Sequence, residues 1–378
     1  MATVIFIPRE TREGERRAAL LPDGVARFRK LGAEVRFESG LGTGAGIADS
    51  VYEQAGAQAT AREAGLRGAD VILRINKPPL ADVGLFRPGG THISFLDPFN
   101  DPDLIKALAD AGISALSLEL IPRTTLAQKM DALSSQSNLA GYVAVLLAAS
   151  NLPRIFPMMM TPAGTLTPAH VFVIGAGVAG LQAIATARRL GARVTAFDTR
   201  PVVEEQVKSL GAKFAKLDLG ETGQTRDGYA RALTDDQIRR QREGMARLCA
   251  EADAVITTAQ VFGSKAPRIV TADMIRGMRP GAVIVDMAVE SGGNVEGSVP
   301  NEEVDVGGVR ILGHTNLPSR VPYHASQMLS SNLVNLVEHL WDKDRGALAV
   351  DSPDEIARGC VVTRGGQLVN ERVKQSRK

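Results

Sequence analysis

Three glycines, Gly175, Gly177 and Gly180, have the spacing in this chain that most directly serves chemistry. They follow the apolar run Val171–Ile174 and lead at once into an Ala-rich helical pattern. Strand, tight turn and helix start therefore come in the order that a dinucleotide site requires. Gly175 permits the sharp turn, Gly177 lets the backbone come close to a pyrophosphate, and Gly180 lets the helix pack on the strand. The helix start at Val178 then offers free N–H groups and the positive end of its dipole to phosphate. The next strand, Arg193–Asp198, ends on an acid. A carboxylate at that place accepts hydrogen bonds from the ribose hydroxyls and repels a 2′-phosphate, so the site favours NAD(H) over NADP(H). Thr199 and Arg200 follow, and Arg200 is a complication, because an Arg nearby sometimes holds a 2′-phosphate. The plainer alternative is a glycine turn in an ordinary β-α unit with Asp198 as a surface cap. It leaves the common register of strand, glycines, helix and acid unexplained.

A second constellation puts a cation, an amide, a carboxylate and a hydroxyl into twelve residues: Arg123, Gln128, Asp131 and Ser134. The amide and hydroxyl suit a nicotinamide carboxamide, and an Arg–Asp pair would hold the loop and set the local field. A capped helix start with a surface salt bridge uses the same residues, and the segment alone favours that plainer reading. Three further segments fall at strand ends, where open α/β sheets line their ligand crevice. They are Arg16–Pro22, with Arg17; Asn76–Pro79, with Lys77; and Asp286–Gly293, with Glu290.

The elements that must carry these residues alternate. Strands are expected at Val4–Ile7, Glu34–Glu38, Val71–Ile75, Thr91–Phe95 and Ser114–Leu118, with helices at Pro22–Leu31 and Asp103–Ala111. Such alternation implies a mostly parallel sheet with helices on both faces. A long helix, roughly Ser134–Ala149, comes next. The stretch Pro153–Pro168 reads as a linker or packing loop, with Met158, Met159 and Met160 as core filler. A second set of strands runs through Val171–Ile174, Val194–Asp198, Ala254–Thr257, Val283–Asp286 and Arg310–Leu312. A polar stretch, Leu219–Asp236, interrupts it and reads as a functional lid or a disordered loop. From Ser326 the apolar spacing is helical and returns the chain to the first lobe. The expected fold class is α/β: two Rossmann-like lobes with mostly parallel sheets, linked by two long helices around a cleft. The first lobe takes residues 1–133 and 327–378, the nucleotide-binding lobe 134–326.

Composition narrows the function classes. At 378 residues two domains are the natural expectation. A formal net charge of +2 is no footprint for nucleic acid. Without a run of eighteen apolar residues, no segment spans a bilayer. The chain opens directly on a strand, so no signal peptide is expected. Cys249 and Cys360 have no metal spacing and read as reduced thiols in a cytosol. The five histidines form no metal-binding pattern, so no metal is expected.

Together the segments carry a resemblance. Pro8-Arg-Glu-Thr, Glu15 to Pro22, Asn76 to Pro79, the Gly175 turn and Val285 to Gly293 resemble the superfamily of alanine dehydrogenase and proton-translocating NAD(P) transhydrogenase. It covers essentially the whole chain. Ile121 to Tyr142 looks like the Arg-Gln-Asp loop of the transhydrogenase's NAD(H)-binding component. Arg226, Gly228, Tyr229 and Ala230 look like that component's mobile loop over bound nucleotide. The resemblance implies a dimeric, cytoplasmic NAD(H)-binding subunit. It would lie against the inner face of the cytoplasmic membrane, held there by membrane-spanning and NADP(H)-binding partner subunits. It would pass the hydride of NADH directly to NADP⁺ on the partner, coupled to proton movement. Arg123, Gln128, Asp131 and Ser134 would then hold the nicotinamide. Gly175, Gly177, Val178, Gly180, Asp198, Thr199, Arg200, Gly228, Tyr229, Gln241, Thr258, Ala259 and Gln260 would hold the rest of the nucleotide. The alternatives are a self-contained alanine dehydrogenase and a non-catalytic NAD(H) sensor. Against the dehydrogenase, Phe95-Leu96-Asp97-Pro98 stands where that family has its catalytic His, and Glu290 stands where it has Asp. Arg17 and Lys77 match that family's pyruvate-binding pair.

Overall fold

The structure, a computed structural model, describes residues 2–220, 222, 223, 231 and 233–376. The chain divides into two units, Met1–Gln136 with Ser319–Lys378, and Ser137–Pro318. The first boundary falls inside the helix Ala132–Asn151. The sequence pattern puts the boundaries at 133/134 and 326/327.

The first unit is built on β1 (Val4–Ile7), β2 (Glu34–Phe37), β3 (Gln58–Ala59), β4 (Val71–Leu73), β5 (Thr91–Ser94) and β6 (Ser114–Ser117). These pair in parallel in the order β6-β5-β4-β1-β2-β3. Strands β4, β5 and β6 are buried at every position, as expected of a parallel sheet covered on both faces. Ile5, Ile7, Val35, Phe37, Leu73 and Ile93 form its core together with Leu329, Leu333 and Leu336 of the helix Pro322–Leu340.

The second unit carries β7 (Met159–Thr161) and β8 (Gly164–Leu166) as an antiparallel hairpin. Its main sheet is built from β9 (His170–Ile174), β10 (Arg193–Phe197), β11 (Lys213–Phe214), β12 (Ala254–Thr257), β13 (Val283–Asp286), β14 (Glu303–Val306) and β15 (Val309–Leu312). The order is β11-β10-β9-β12-β13-β15-β14, parallel except for the β14–β15 pair. The strand order reverses at β9, and the Gly175 turn leaves the carboxyl end of that strand. This is the topological switch point at which such sheets bind ligands. In the first unit again, β16 (Trp341–Asp342) pairs with β17 (Ala347–Leu348). Strands β18 (Val361–Arg364) and β19 (Gln367–Leu368) add an antiparallel edge to the first sheet beside β6.

The methionine stretch is a correction. Met158, Met159 and Met160 are 61%, 46% and 82% exposed, so they fill no core. Two short strands and the turn through Pro162 hold them out on the hairpin. The thiols behave as expected of core residues: both cysteines are free and buried, and burial pushes each up to about 12. No helix among the described residues is long and apolar enough to cross a membrane.

Candidate functional site

The three glycines of the turn do three steric jobs. Gly175 has φ of 95°, the left-handed region, and a Cβ there would lie 2.6 Å from the Thr258 hydroxyl oxygen. A Cβ on Gly180 would lie 1.8 Å from the Gly175 carbonyl oxygen, so only glycine lets the helix Val178–Arg189 pack this closely. A Cβ on Gly177 would meet nothing within 4 Å: its face of the turn is open. The helix start has no side-chain cap, and Val178 is 42% exposed. Orphan N–H groups beside open space fit a pyrophosphate. The helix Ala132–Asn151 also comes close behind this start. A Cβ on Gly141 would sit 2.2 Å from the Ala179 carbonyl oxygen.

Asp198 follows β10 and is buried. Its carboxylate accepts from the Ala176 N–H at 2.7 Å and from the Arg200 N–H at 2.9 Å. The Arg200 guanidinium adds a fork, Nε at 2.9 Å and Nη2 at 2.8 Å. These hydrogen bonds outweigh burial and hold the guanidinium above its ordinary pKa. Thr199, half-buried beside them, completes the segment.

Across the sheet, the Thr258 hydroxyl lies 3.2 and 3.1 Å from the carbonyl oxygens of Ile174 and Gly175, so it stitches the glycine turn to the end of β12. Asn294 does comparable work for Ala259. Its amide accepts from the Ala259 N–H at 3.1 Å and donates to the Ala259 carbonyl at 2.8 Å and the Pro267 carbonyl at 2.9 Å. Asp286, fully buried, takes the Thr257 hydroxyl and the N–H groups of Ala288, Asn294 and Val295 at 3.0–3.2 Å. Gln260 donates to the Ser291 hydroxyl at 3.1 Å, and Gln241 is buried on the helix Asp235–Glu251. Gly228 and Tyr229, with Arg226 and Ala230, lie outside the described residues. The sequence reading missed Asn294 and Gly141. Each acts on a residue more than thirty positions away, so no local spacing signals it.

In the first unit, the Arg123–Ser134 loop is anchored from below. Ala127 and Met130 are fully buried, and the Asn332 amide donates to the Lys129 carbonyl at 3.0 Å. Gln128 and Arg123 are exposed. Asp131 caps the long helix, accepting from the Ser134 N–H at 2.9 Å and its hydroxyl at 2.6 Å. The structure thus brings Asp131 and Ser134 together as a helix cap. A rigid base below leaves the Gln128 amide facing outward.

Arg17 and Lys77 meet carboxylates of their own unit. Arg17 forks onto Glu15, with Nε at 2.8 Å and Nη2 at 2.6 Å, and gives Nη1 to the Gln136 amide at 2.8 Å. Burial alone would raise Glu15, but Arg17 outweighs it and brings the carboxyl down to about 2. Lys77 donates to Asp101 at 2.7 Å and lies 3.9 Å from Asp97. Asp97 has φ of 51°, unusual for a residue with a Cβ. Its N–H donates at 2.8 Å to buried Glu119.

Comparison with known proteins agrees with this geometry. Residues 6–140 match the family model "Alanine dehydrogenase/PNT, N-terminal domain", and residues 144–371 match "Alanine dehydrogenase/PNT, C-terminal domain". In Rhodospirillum rubrum the NAD(P) transhydrogenase alpha subunit is divided, and this chain is 44% identical over 375 residues to its first polypeptide, covering 97% of each. It is 31% identical over 378 residues to the alanine dehydrogenase of Mycobacterium tuberculosis, covering 98% of this chain and 95% of that one. A solved transhydrogenase structure from Sinorhizobium meliloti superposes with a TM-score of 0.86 at 41% identity, covering 98% of this chain and 99% of that one.

Proposed function

Since the chain belongs to the alanine dehydrogenase/PNT family, we propose that it is the NAD(H)-binding subunit of a proton-translocating NAD(P) transhydrogenase. The observation that carries this reading is the similarity over nearly the whole chain, higher to the transhydrogenase subunit than to alanine dehydrogenase. The bound nicotinamide would supply the hydride, which passes from NADH to NADP⁺ on a partner subunit. The chain's own task is then to bind and orient. The Gly175 turn and the helix start hold phosphate, Asp198 and the Thr258–Gln260 segment hold the adenosine half, and the Arg123–Ser134 loop holds the nicotinamide. Direct transfer needs no resident acid or base, only correct placement of the ring.

The paired cations favour this reading over alanine dehydrogenase. A keto-acid carboxylate needs a free cation, and Arg17 already holds Glu15 while Lys77 holds Asp101. With NADH, pyruvate and ammonia the purified chain is therefore expected to form no alanine. Together with its NADP(H)-binding and membrane partners it is expected to transfer hydride from NADH to an NADP⁺ analogue. Alanine formation would make it a dehydrogenase. NADH binding without transfer in the reconstituted complex would make it a sensor. In the cell the subunit would be cytoplasmic, held at the inner face of the cytoplasmic membrane by those partners.

The subunit would work as a homodimer, with the β7–β8 hairpin against a second copy. Met158, Met159, Met160 and Leu166 leave an apolar patch on this hairpin, a feature typical of an interface. Light scattering at micromolar concentration should give twice the chain mass. The double variant Met159→Lys, Met160→Lys should give the single mass. A monomeric wild-type chain would refute the dimer, and an intact dimer in the variant would move the interface elsewhere.

A further inference from the structure

We propose that Arg200 is a specificity-determining lock on Asp198: its guanidinium fork occupies the acceptor positions that a ribose diol needs. The inference rests on reading the Gly175 turn as an NAD(H) site. A carboxylate has about four acceptor positions. Asp198 fills them with the Ala176 N–H, the Arg200 N–H, and the Arg200 Nε and Nη2. A hydroxyl that donates to this carboxylate must displace one of the four.

The four differ in what holds them. The Ala176 N–H belongs to the glycine turn, and Gly175 beside it bonds its own N–H to the Phe197 carbonyl at 2.8 Å. The Arg200 N–H is fixed by its backbone, which is extended before Pro201. Only the guanidinium rides on a long flexible stem. The pair is also well covered, with side-chain exposures of 14% for Arg200 and 6% for Asp198. Its fork is therefore stronger than a typical surface ion pair. NADH binding must open it, and the opening lowers the observed affinity.

The lock has a second consequence. While closed, it neutralises the carboxylate that should repel a 2′-phosphate. It also places a cation where that phosphate would arrive, and Arg suits phosphate geometry. Arg200 thus weakens NADH and shelters NADPH, narrowing the discrimination that Asp198 provides alone.

Titration of the full chain with NADH and NADPH tests this, with 5′-AMP and 2′,5′-ADP as fragment probes. Arg200→Met keeps the apolar stem and removes every donor of the fork. It is expected to tighten NADH by about tenfold, equivalent to about 1.4 kcal/mol. NADPH and 2′,5′-ADP should bind more weakly than to wild type. Arg200→Lys keeps the charge without the fork and should tighten NADH by less. Should the Met variant fail to fold, the Lys variant carries the same test of the fork. Unchanged or weaker NADH binding in the folded variants, with wild type binding NADH normally, would overturn the lock and leave Arg200 as a support for Asp198. A wild-type chain that binds no NADH would instead overturn the nucleotide-site reading.

Discussion

Gly180→Ala is expected to lower NADH affinity by about a hundredfold or more and to destabilise the second unit. The added Cβ would lie 1.8 Å from the Gly175 carbonyl oxygen and 2.8 Å from the carbonyl carbon. Backbone atoms cannot rotate away as a flexible side chain would, so either the turn or the helix start must move by more than ~1 Å. Moving the turn also breaks the Thr258 contact with the Gly175 carbonyl and the bond from Ala176 to Asp198. The phosphate cradle and the ribose acceptor are then displaced together. Overpacking of this kind commonly costs about 1–3 kcal/mol, which lowers the melting temperature by several degrees in a unit of this size. Gly177→Ala gives the contrast. Its Cβ meets nothing within 4 Å, so the fold should melt like wild type while the new methyl obstructs the pyrophosphate. NADH titration with thermal unfolding of both variants separates the two roles. Wild-type NADH binding by Gly180→Ala would show that this turn does not cradle the nucleotide.

The turn was legible in the sequence because each glycine does a local steric job. Its neighbours in the chain determine the clash, so spacing alone carries the signal. The parallel sheets were legible for a similar reason: short buried strands bounded by turns recur at regular intervals. The partners of the charged groups were less legible. Asp198 and Arg200 are two residues apart, and the sequence raises Arg200 only as a complication for nucleotide choice. That the guanidinium folds back to saturate the carboxylate depends on the backbone direction imposed by Pro201. Arg17 to Glu15 is equally local, but the Gln136 amide that completes the arrangement comes from a helix 119 positions away. Apolar composition misled at Met158–Met160. Methionine suits core gaps and exposed interfaces alike, and only the hairpin geometry decides between them. Asn294 was invisible because an asparagine after two glycines reads as a turn residue. Its value lies in matching both the N–H and the carbonyl of Ala259, a complementarity that needs the folded sheet.

The loop at Gln128 is where the plain and the functional readings diverge. Asp131 and Ser134 form a helix cap, which the plain reading requires. A cap, however, does not explain why the preceding turn is so firmly held. Ala127 and Met130 are fully buried, and the Asn332 and Asn335 amides both donate to the Lys129 carbonyl, at 3.0 and 3.2 Å. Those contacts fix the backbone on either side of Gln128 and leave its side chain unburied. A rigid base under an outward amide is what positioning a ring demands. Gln128→Asn shortens that side chain by one methylene and leaves every anchoring contact in place. The Gly175 turn and Asp198 would still supply most of the NADH binding, so affinity should stay within about threefold of wild type. Hydride transfer to NADP⁺ on the partner should fall about a hundredfold, because misplacing a reacting group by ~1 Å can cost that much. A capped surface turn with no role in the reaction predicts small changes in both quantities. Stopped-flow transfer in the reconstituted complex decides between them. An unchanged transfer rate for Gln128→Asn would remove the nicotinamide from this loop.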